Sequence, residues 1–380
     1  MKKKKYKYIY AVLLLISISL NFFLIGKHDQ NISLKFNSIK SSSVNTDSFL
    51  STNVKKEPFN ASSNGIQDDT NPIQEAINFV SSKGGGKVYL PNGEYKITKT
   101  LYLPDDTSLI GEGQGKKSTV IQFSGKGFAI KSTGEHKRIN IENLRLELSG
   151  KNSGIHLGDI GERLSNSTFP AHMGIRHVTV GGIGVNQIGI KLSNVSHINI
   201  LDVSSGYGNT TGGHGLFIFA DKLNSGVLTA EDSTFGRVDS TTVGMEIDGT
   251  VNLDTYSFTG CYFGGQLPIR LGKNSVVRNI NFTGIHIEGR GNDERTNLIE
   301  IYNVVAVNFF GTSLIGFKES DNRGFVFKGK AEKVNILGVE ANGLMGAIYA
   351  NEGAELDGNS LFQKAELTNG SKAKQYMGDF

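Results

Sequence analysis

The feature that most constrains the fold is a phrase that recurs along the chain from Leu101 onward. Each copy contains a strand of alternating apolar residues, a small or polar bend, a second short strand, a loop, and then a glycine followed by an apolar–x–apolar run. Two examples are "GVLTAEDSTFGRVDSTTVGMEIDG" and "VVRNINFTGIHIEGRGNDERTNLIEIYN". The unit length is about 22 to 30 residues, a range in which internal repeats indicate a solenoid.

Each repeat supplies short strands and no helical periodicity, so it cannot bury its apolar faces alone. Coils stacked about 4.8 Å apart would form parallel sheets around one continuous core. A composition of 48 glycines and only 6 prolines suits many short strands joined by tight turns. A β-propeller is disfavoured because the repeats lack the regular hairpin turns that antiparallel blades need. The sequence therefore predicts an all-β parallel β-helix.

One helix stands before the repeats, and its apolar residues recur on one face. Ile73, Ala76, Ile77 and Val80 follow the i, i+3, i+4, i+7 pattern. This pattern predicts a helix over 71–83 that begins at an Asn71 N-cap, with Gln74 closing a capping box. Because the first coil of a β-helix has an exposed apolar end, we expect this helix to act as a cap.

The segment around this helix resembles the N-terminal signature of the pectate-lyase-like superfamily of right-handed β-helix proteins. The matching residues are Asp68, Asp69, Thr70, Ile73, Gln74, Ala76, Ile77, Gly85, Gly86, Val88, Leu90, Pro91, Gly93 and Tyr95. The resemblance implies a right-handed coil and a carbohydrate-related role. It does not fix a reaction, since the superfamily includes lyases, hydrolases, epimerases and non-catalytic spikes.

The N-terminal sequence is typical of a membrane-targeting segment. A lysine cluster precedes an apolar run from about Tyr8 to Gly26, which is roughly the length that crosses a bilayer as a helix. We expect residues 1–27 to hold cytoplasmic lysines and a single-pass anchor, residues 28–58 a flexible linker, and residues 59–380 an extracytoplasmic β-helix domain. A cleaved signal peptide and secretion is the alternative, although no clear cleavage site follows the apolar run.

Charge and cysteine content exclude several classes of function. The first thirty residues hold six lysines and one aspartate, a net of +5 against +4 for the whole chain, so the remainder carries about −1. The domain therefore has no bulk attraction for nucleic acid. Because Cys261 is the single cysteine, an internal disulfide is excluded. We interpret Cys261 as a small buried residue.

Aligning the repeats by their final strands predicts which outward side chains share a column. Glu246, Arg270 and Glu300 then follow one another on one face, with Asp248 and Tyr302 in the adjacent column. We interpret this face as part of a groove across the middle coils that binds a polysaccharide. The rival interpretation is a surface ion-pair stack that keeps the strands in register.

Aligning the middle strands places Tyr262 and His286 in one column, with Glu288 in the next. We expect these side chains to contribute to the same groove. No tryptophan is present, so tyrosine and phenylalanine would have to stack on the sugars.

Two reactions fit the predicted groove. An inverting glycoside hydrolase needs two carboxylates about 6.5–9.5 Å apart, and Glu246 with Glu300 suits that spacing, with Asp248 or Glu288 as substitutes. A lyase acting on a uronic acid needs a base and cations on the carboxylate, for which Arg270 with His286 or Arg290 would serve. A non-catalytic protein that binds or assembles envelope glycans, or an adhesin, remains the alternative.

Three further features are weaker indicators. His214 in "GGHG" resembles the Gly-His-Gly of polygalacturonase-type hydrolases and is assigned a substrate-binding role. We predict no cofactor and no metal, although the acids of "GRGNDERTN" leave a calcium site open as an alternative. Side-by-side assembly into a homotrimer is also left open, and Asp68 with Asp69 is expected to serve the turn before the helix.

Overall fold

The structure is a computed structural model that describes residues 50–149, 151–158, 170–207, 213–239, 242–289, 296–316, 322–344, 346–350, 354–357, 360–362 and 366–368. Within these residues it contains helix α1 (Thr70–Ser82) and a long series of short strands.

The first strands are β1 (Ser51–Asn53), β2 (Asn64–Asp68), β3 (Gly86–Tyr89), β4 (Gly93–Ile97), β5 (Leu101–Leu103), β6 (Thr107–Ile110), β7 (Thr119–Phe123), β8 (Phe128–Ser132), β9 (Asn140–Leu148), β10 (Ser153–Leu157), β11 (Ala171–Gly181), β12 (Ile188–Ser193), β13 (Ser196–Tyr207), β14 (His214–Ala220), β15 (Ser225–Glu231) and β16 (Thr234–Phe235). The series continues with β17 (Val243–Gly249), β18 (Leu253–Thr259), β19 (Tyr262–Gly265), β20 (Leu267–Leu271), β21 (Val277–Thr283), β22 (His286–Gly289), β23 (Asn297–Ile301), β24 (Val304–Phe310), β25 (Ser313–Ile315), β26 (Arg323–Phe327), β27 (Lys330–Leu337), β28 (Glu340–Asn342), β29 (Gly346–Ala350), β30 (Glu355–Leu356), β31 (Leu361–Phe362) and β32 (Glu366–Thr368).

The strands wind as a right-handed parallel β-helix, which confirms the predicted fold class. A middle coil consists of β15, β16 and β17, and the next coil stacks β18, β19 and β20 on them in parallel register. The final strands of successive coils form a ten-stranded sheet that runs from β5 through β14, β17, β20 and β23 to β29. The other strands form a 22-stranded sheet that bends within each coil.

In the middle coils, the bend between the first and second strands of the repeat lies at a residue in the left-handed conformation. The φ angle is 48° at Asp202, 47° at Asp232, 63° at Gly260, 59° at Gly284 and 61° at Gly311. Only glycine and short polar residues adopt this conformation readily. This explains the small or polar bend residue of the repeating phrase.

The glycine that opens the last strand of the phrase is required by close packing. A Cβ on Gly215 would lie 2.5 Å from the backbone nitrogen of Gly236, and a Cβ on Gly244 would lie 2.5 Å from the carbonyl oxygen of Pro268. These two coils therefore enter the ten-stranded sheet at points where only a residue without a side chain fits, whereas Pro268 and Leu298 hold the corresponding position in the next two coils.

The core is a continuous column of aliphatic and aromatic side chains inside the coils. Phe258, Phe282 and Phe309 stack on successive coils, with ring centroids 5.1 and 4.6 Å apart. Cys261 is buried beside them, and burial raises the pKa of its thiol to about 11. A thiol in this state is inert, as the sequence predicted.

Helix α1 lies within one residue of the predicted 71–83 at each end, and Ile73, Ala76, Ile77 and Val80 are buried. The predicted capping box is wrong, because the helix begins one residue earlier and Gln74 has another partner. Its side chain accepts from the backbone N–H of Tyr102 at 2.8 Å and donates to the backbone oxygen of Tyr102 at 3.1 Å. Tyr102 lies on β5, the terminal strand of the ten-stranded sheet among the described residues. Gln74 therefore satisfies backbone groups on the edge of β5 that no neighbouring strand of this sheet pairs with.

The folded region starts before the predicted boundary at residue 59. Strand β1 lies inside the segment predicted as linker, yet it pairs with β3, and Val54 just after it is fully buried. Strand β1 has only three residues, and none of them is buried, so it gave no periodic signal. Among the residues that the structure describes, no helix has the length and apolarity needed to cross a bilayer, and the anchor predicted for residues 1–27 lies outside them.

Candidate active site

The outward column predicted for the middle coils exists on the ten-stranded sheet. Phe217 on β14 pairs with Glu246 on β17, Glu246 with Arg270 on β20, and Arg270 with Glu300 on β23. These residues face outward because their strand neighbours fill the core, as Met245 does beside Glu246. The predicted register is therefore confirmed for these four coils.

Glu246 is the centre of this column. Its Oε2 accepts a hydrogen bond from Nε2 of His214 at 2.7 Å, and Nη1 of Arg270 lies 3.3 and 3.4 Å from its two oxygens. The residue is only 7% exposed. Burial opposes its ionisation, but the hydrogen bond from His214 and the charge of Arg270 outweigh that effect and lower the pKa of Glu246.

The contact with Glu246 fixes the chemistry of His214. An ionised carboxylate can only accept, so Nε2 of His214 carries the proton and donates it. In the neutral imidazole, Nδ1 then has a lone pair, and it has no hydrogen-bond partner among the described residues. The His214 side chain is 25% exposed, so part of the imidazole is in contact with solvent. The arrangement is that of a general base oriented by a carboxylate.

Glu300 is the second buried carboxylate of the column. It accepts from Lys328 and from Nδ2 of Asn297 at 2.8 Å, and Tyr302 donates to it at 3.2 Å. Nε of Arg270 lies 3.5 Å from its Oε2. Burial raises its pKa, but the contacts with Lys328 and Asn297 prevail and the pKa of Glu300 is lowered.

Arg270 thus lies between the two carboxylates, one of which accepts from His214. Its Nη1 and Nε face Glu246 and Glu300, whereas Nη2 makes no hydrogen bond within the described part of the chain. The cations Arg270, Lys328 and Lys191 balance the carboxylates of Glu246, Glu300 and Asp248 on this face. Nη2 of Arg270 can donate to a negatively charged ligand.

Asp248 lies on this face but serves a turn. Its oxygens accept from the backbone N–H and the side-chain Nδ2 of Asn274, at 2.7 and 2.6 Å, and lie 3.4 Å from the hydroxyl of Ser275. The residue is 4% exposed. An acid with its oxygens committed to the next turn is poorly placed for catalysis, contrary to the role predicted for it.

The second predicted group lies on the other sheet. Tyr262, His286 and Glu288 are on β19 and β22 in the predicted register. The Tyr262 ring stacks on the His286 ring at 5.4 Å, and its hydroxyl donates to Glu288 at 2.8 Å. Burial, together with the Glu288 carboxylate, raises the pKa of Tyr262. The shared groove stays a prediction, because among the described residues no hydrogen bond, ion pair or ring contact joins Tyr262, His286 or Glu288 to Glu246 or Arg270.

The reason is the corner between the two sheets. Strands β19 and β20 are separated by Gln266 alone and belong to different sheets. Periodicity gives the direction of a side chain within one strand, but not the angle between two strands.

Arg290 and most of the loop considered for calcium lie outside the described residues. Elsewhere, among the described residues, no three His, Cys, Asp or Glu side chains are grouped so that they could hold a metal ion.

Sequence reasoning assigned His214 only to substrate binding and overlooked Asn297. Both could have been found by alignment of the repeats. His214 occupies the position three residues before Phe217, opposite Val243, which places it one coil away from Glu246. Asn297 occupies the same position before Glu300.

Comparison with known proteins finds one matching family model and several similar proteins. A family model described as "Rhamnogalacturonase A/epimerase, pectate lyase-like" matches residues 51–304. Mannuronan C5-epimerase AlgE3 of Azotobacter vinelandii is 42% identical over 72 residues, which are 17% of this chain and 4% of that protein. Alginate lyase 7 of the same organism is 37% identical over 97 residues, 24% of this chain and 11% of that protein. The matches thus span a small part of these relatives.

Solved structures of low sequence identity share the fold. The A-module of Azotobacter vinelandii mannuronan C-5 epimerase AlgE6 superposes with a TM-score of 0.54 at 17% identity, covering 85% of this chain and 99% of that one. The N-terminal fragment of bacteriophage phi29 gene product 12 also gives a TM-score of 0.54, at 14% identity over 84% of this chain and 66% of that one.

Proposed function

The chain belongs to the rhamnogalacturonase A/epimerase, pectate lyase-like family, and from this premise we propose that it modifies an acidic polysaccharide by removing the C5 proton of a uronic acid residue. The reaction would be completed as a β-elimination or as an epimerisation. The names of two relatives, a mannuronan C5-epimerase and an alginate lyase, both refer to polymers of uronic acids.

The observation that carries this proposal is the 2.7 Å contact between Nε2 of His214 and Oε2 of Glu246, on an outward face next to Arg270. Nδ1 of His214 takes the C5 proton, and Glu246 stabilises the imidazolium that forms. The electron pair left at C5 spreads into the sugar carboxylate, whose growing charge meets Nη2 of Arg270. In elimination the bond from C4 to the glycosidic oxygen then breaks, a C4=C5 double bond forms, and the oxygen takes a proton from water. In epimerisation a water molecule donates a proton to C5 from the opposite side.

A glycoside hydrolase fits the same residues less well. Hydrolysis by two carboxyl groups needs one of them protonated at neutral pH, which requires a raised pKa. The pKa values of Glu246 and Glu300 are both lowered, and Arg270 lies between the two side chains. Neither carboxyl group is thus suited to act as the general acid.

An assay with purified full-length chain tests the proposal. The chain is incubated with alginate, polygalacturonate and, as a neutral control, dextran. Unsaturated uronates are read by ultraviolet absorbance, reducing ends by a colorimetric assay and C5 configuration by NMR. We expect unsaturated ends or inverted C5 centres with a polyuronate only, and neither with His214→Gln. Reducing ends without unsaturation would instead indicate a hydrolase, and retention of the glycan without any product would indicate a binding protein.

We also propose the setting in which this reaction takes place. The apolar run within residues 1–27 would anchor the chain, with the β-helix outside the cytoplasm on a linker that ends before β1. Helix α1 would cap the first coil, a role supported by its buried stripe and by the bonds from Gln74 to β5. Assembly into a homotrimer is a further proposal that light scattering of the purified chain would test.

A further inference from the structure

Two phenylalanines on β14 point away from the core. Phe217 and Phe219 are half-buried on the outer face of the ten-stranded sheet, whereas Leu216 and Ile218 between and beside them are fully buried. Their ring centroids are 5.4 Å apart. Outward positions of a half-exposed strand are ordinarily polar, so an adjacent pair of aromatic rings needs a reason.

A lysine from the preceding coil lies over this pair. Lys191 on β12 is the register partner of Phe217, and its Nζ lies 5.8 Å from the ring centroid of Phe217 and 5.3 Å from that of Phe219. The aliphatic stem of lysine and the two rings together form an apolar surface with a positive charge at its edge.

The aromatic pair is continuous with the proposed base. The rings of His214 and Phe217 are 5.4 Å apart, and Phe217 pairs in register with Glu246. In the other direction along the face, toward β26, Arg270, Glu300 and Lys328 form ion pairs. The apolar surface therefore lies next to His214 on one side of the site, and the ion pairs lie on the other side.

We propose that Phe217, Phe219 and Lys191 form a substrate subsite for the sugar next to the one that reacts, on the side of the N-terminal coils; this rests on the proposed function. The rings would contact the C–H face of the pyranose, and the Lys191 ammonium would meet its carboxylate. Lys191 lies one coil before the two rings and Glu246 one coil after Phe217, and neighbouring coils are about 4.8 Å apart. A sugar chain that contacts all of them would run across successive coils. The ligand is thus an extended polyuronate, bound along the axis of the β-helix.

The test replaces the two aromatic rings by leucine side chains, which remain apolar but offer no ring face to a sugar. The Phe217→Leu and Phe219→Leu double variant is compared with wild type on long alginate, and Phe310→Leu serves as the matched control, since Phe310 is a half-buried outward phenylalanine on β24 in the other sheet. We expect the double variant to raise KM by about 10-fold or more with kcat within about 3-fold, and the control to change neither. Lys191→Gln should also raise KM at low ionic strength, with a smaller effect in high salt, where the charge is screened.

Binding measured apart from turnover separates this inference from the proposed function. Calorimetric titration of alginate into the full-length His214→Gln protein, with and without the two leucine substitutions, reports the subsite even if no reaction occurs. Weaker binding in the leucine variant supports the subsite. Equal binding, or an equal loss in Phe310→Leu, would overturn it.

Discussion

Replacing Glu246 by glutamine should disable the proposed base while it preserves the shape of the site. The substitution removes the charge that holds His214 and allows the new amide to donate toward Nε2. A hydrogen bond to a charged partner contributes about 1.5–3 kcal/mol, and each 1.36 kcal/mol corresponds to about tenfold in rate. Loss of imidazolium stabilisation alone thus accounts for roughly 10- to 150-fold. If the amide also favours the tautomer protonated at Nδ1, the total loss in kcat reaches about 10²- to 10⁴-fold.

The matched control is Glu300→Gln. Glu300 lies on the same face, is equally buried and also contacts Arg270, but it has no contact with His214. Both variants remove one buried charge beside a cation, so we expect both to lose stability, by up to about 3–5 kcal/mol. Only Glu246→Gln should lose kcat by two orders of magnitude or more, while Glu300→Gln stays within about 10-fold.

The assay is steady-state turnover of the preferred polyuronate between pH 5 and pH 9, with thermal unfolding recorded for each variant to verify folding. Equal losses of kcat in the two variants would mean that the charged column only supports the strands, and would contradict a base at His214.

Four further outcomes follow from the structure. The pKa values of Glu246 and Glu300 are lowered in the folded chain, so both carboxylates stabilise the fold fully above the ordinary pKa of glutamate. This stabilisation is lost as the pH falls through the folded pKa values. The melting temperature should therefore fall less steeply from pH 6 to pH 3 for Glu246→Gln than for wild type. Gln74→Ala should lower the free energy of unfolding by about 1–3 kcal/mol in denaturant titrations, because it leaves backbone groups of β5 unsatisfied, and a loss no larger than that of exposed Glu75→Ala would contradict the capping role. Asp248→Ala should cost stability of about 1–3 kcal/mol and leave kcat per folded molecule within a few-fold; a loss of kcat without loss of stability would restore its catalytic role. Cys261 should resist thiol reagents at pH 8 in the native state, since burial raises its pKa to about 11, and rapid labelling would show that the middle coils open.

The repeats made the register of the ten-stranded sheet predictable. A period of two residues gives the outward face of each strand, and the shared phrase aligns one coil with the next. This reasoning placed Glu246, Arg270 and Glu300 in one column, as the strand pairs have them.

Contacts between side chains were less accessible to the sequence. The bond from His214 to Glu246 joins positions that are offset along neighbouring strands, and rotamers decide whether such positions meet. The turn role of Asp248 depends on the path of the following loop, and the separation of Tyr262 from Arg270 depends on the corner between two sheets. Column alignment therefore predicts which residues share a face, whereas pairing within that face requires three-dimensional coordinates.

The most direct test of the account is the fate of the C5 proton in D₂O. Full-length chain is incubated with alginate or polygalacturonate in D₂O, and the C5–H signal of the polymer is followed by proton NMR beside the His214→Gln variant. We predict that wild type removes C5 protons, either by exchange for deuterium or by formation of unsaturated ends, and that the variant leaves them in place. Shortening of the polymer with every C5 proton retained, or equal loss of C5 protons with the variant, would contradict a histidine base on this face.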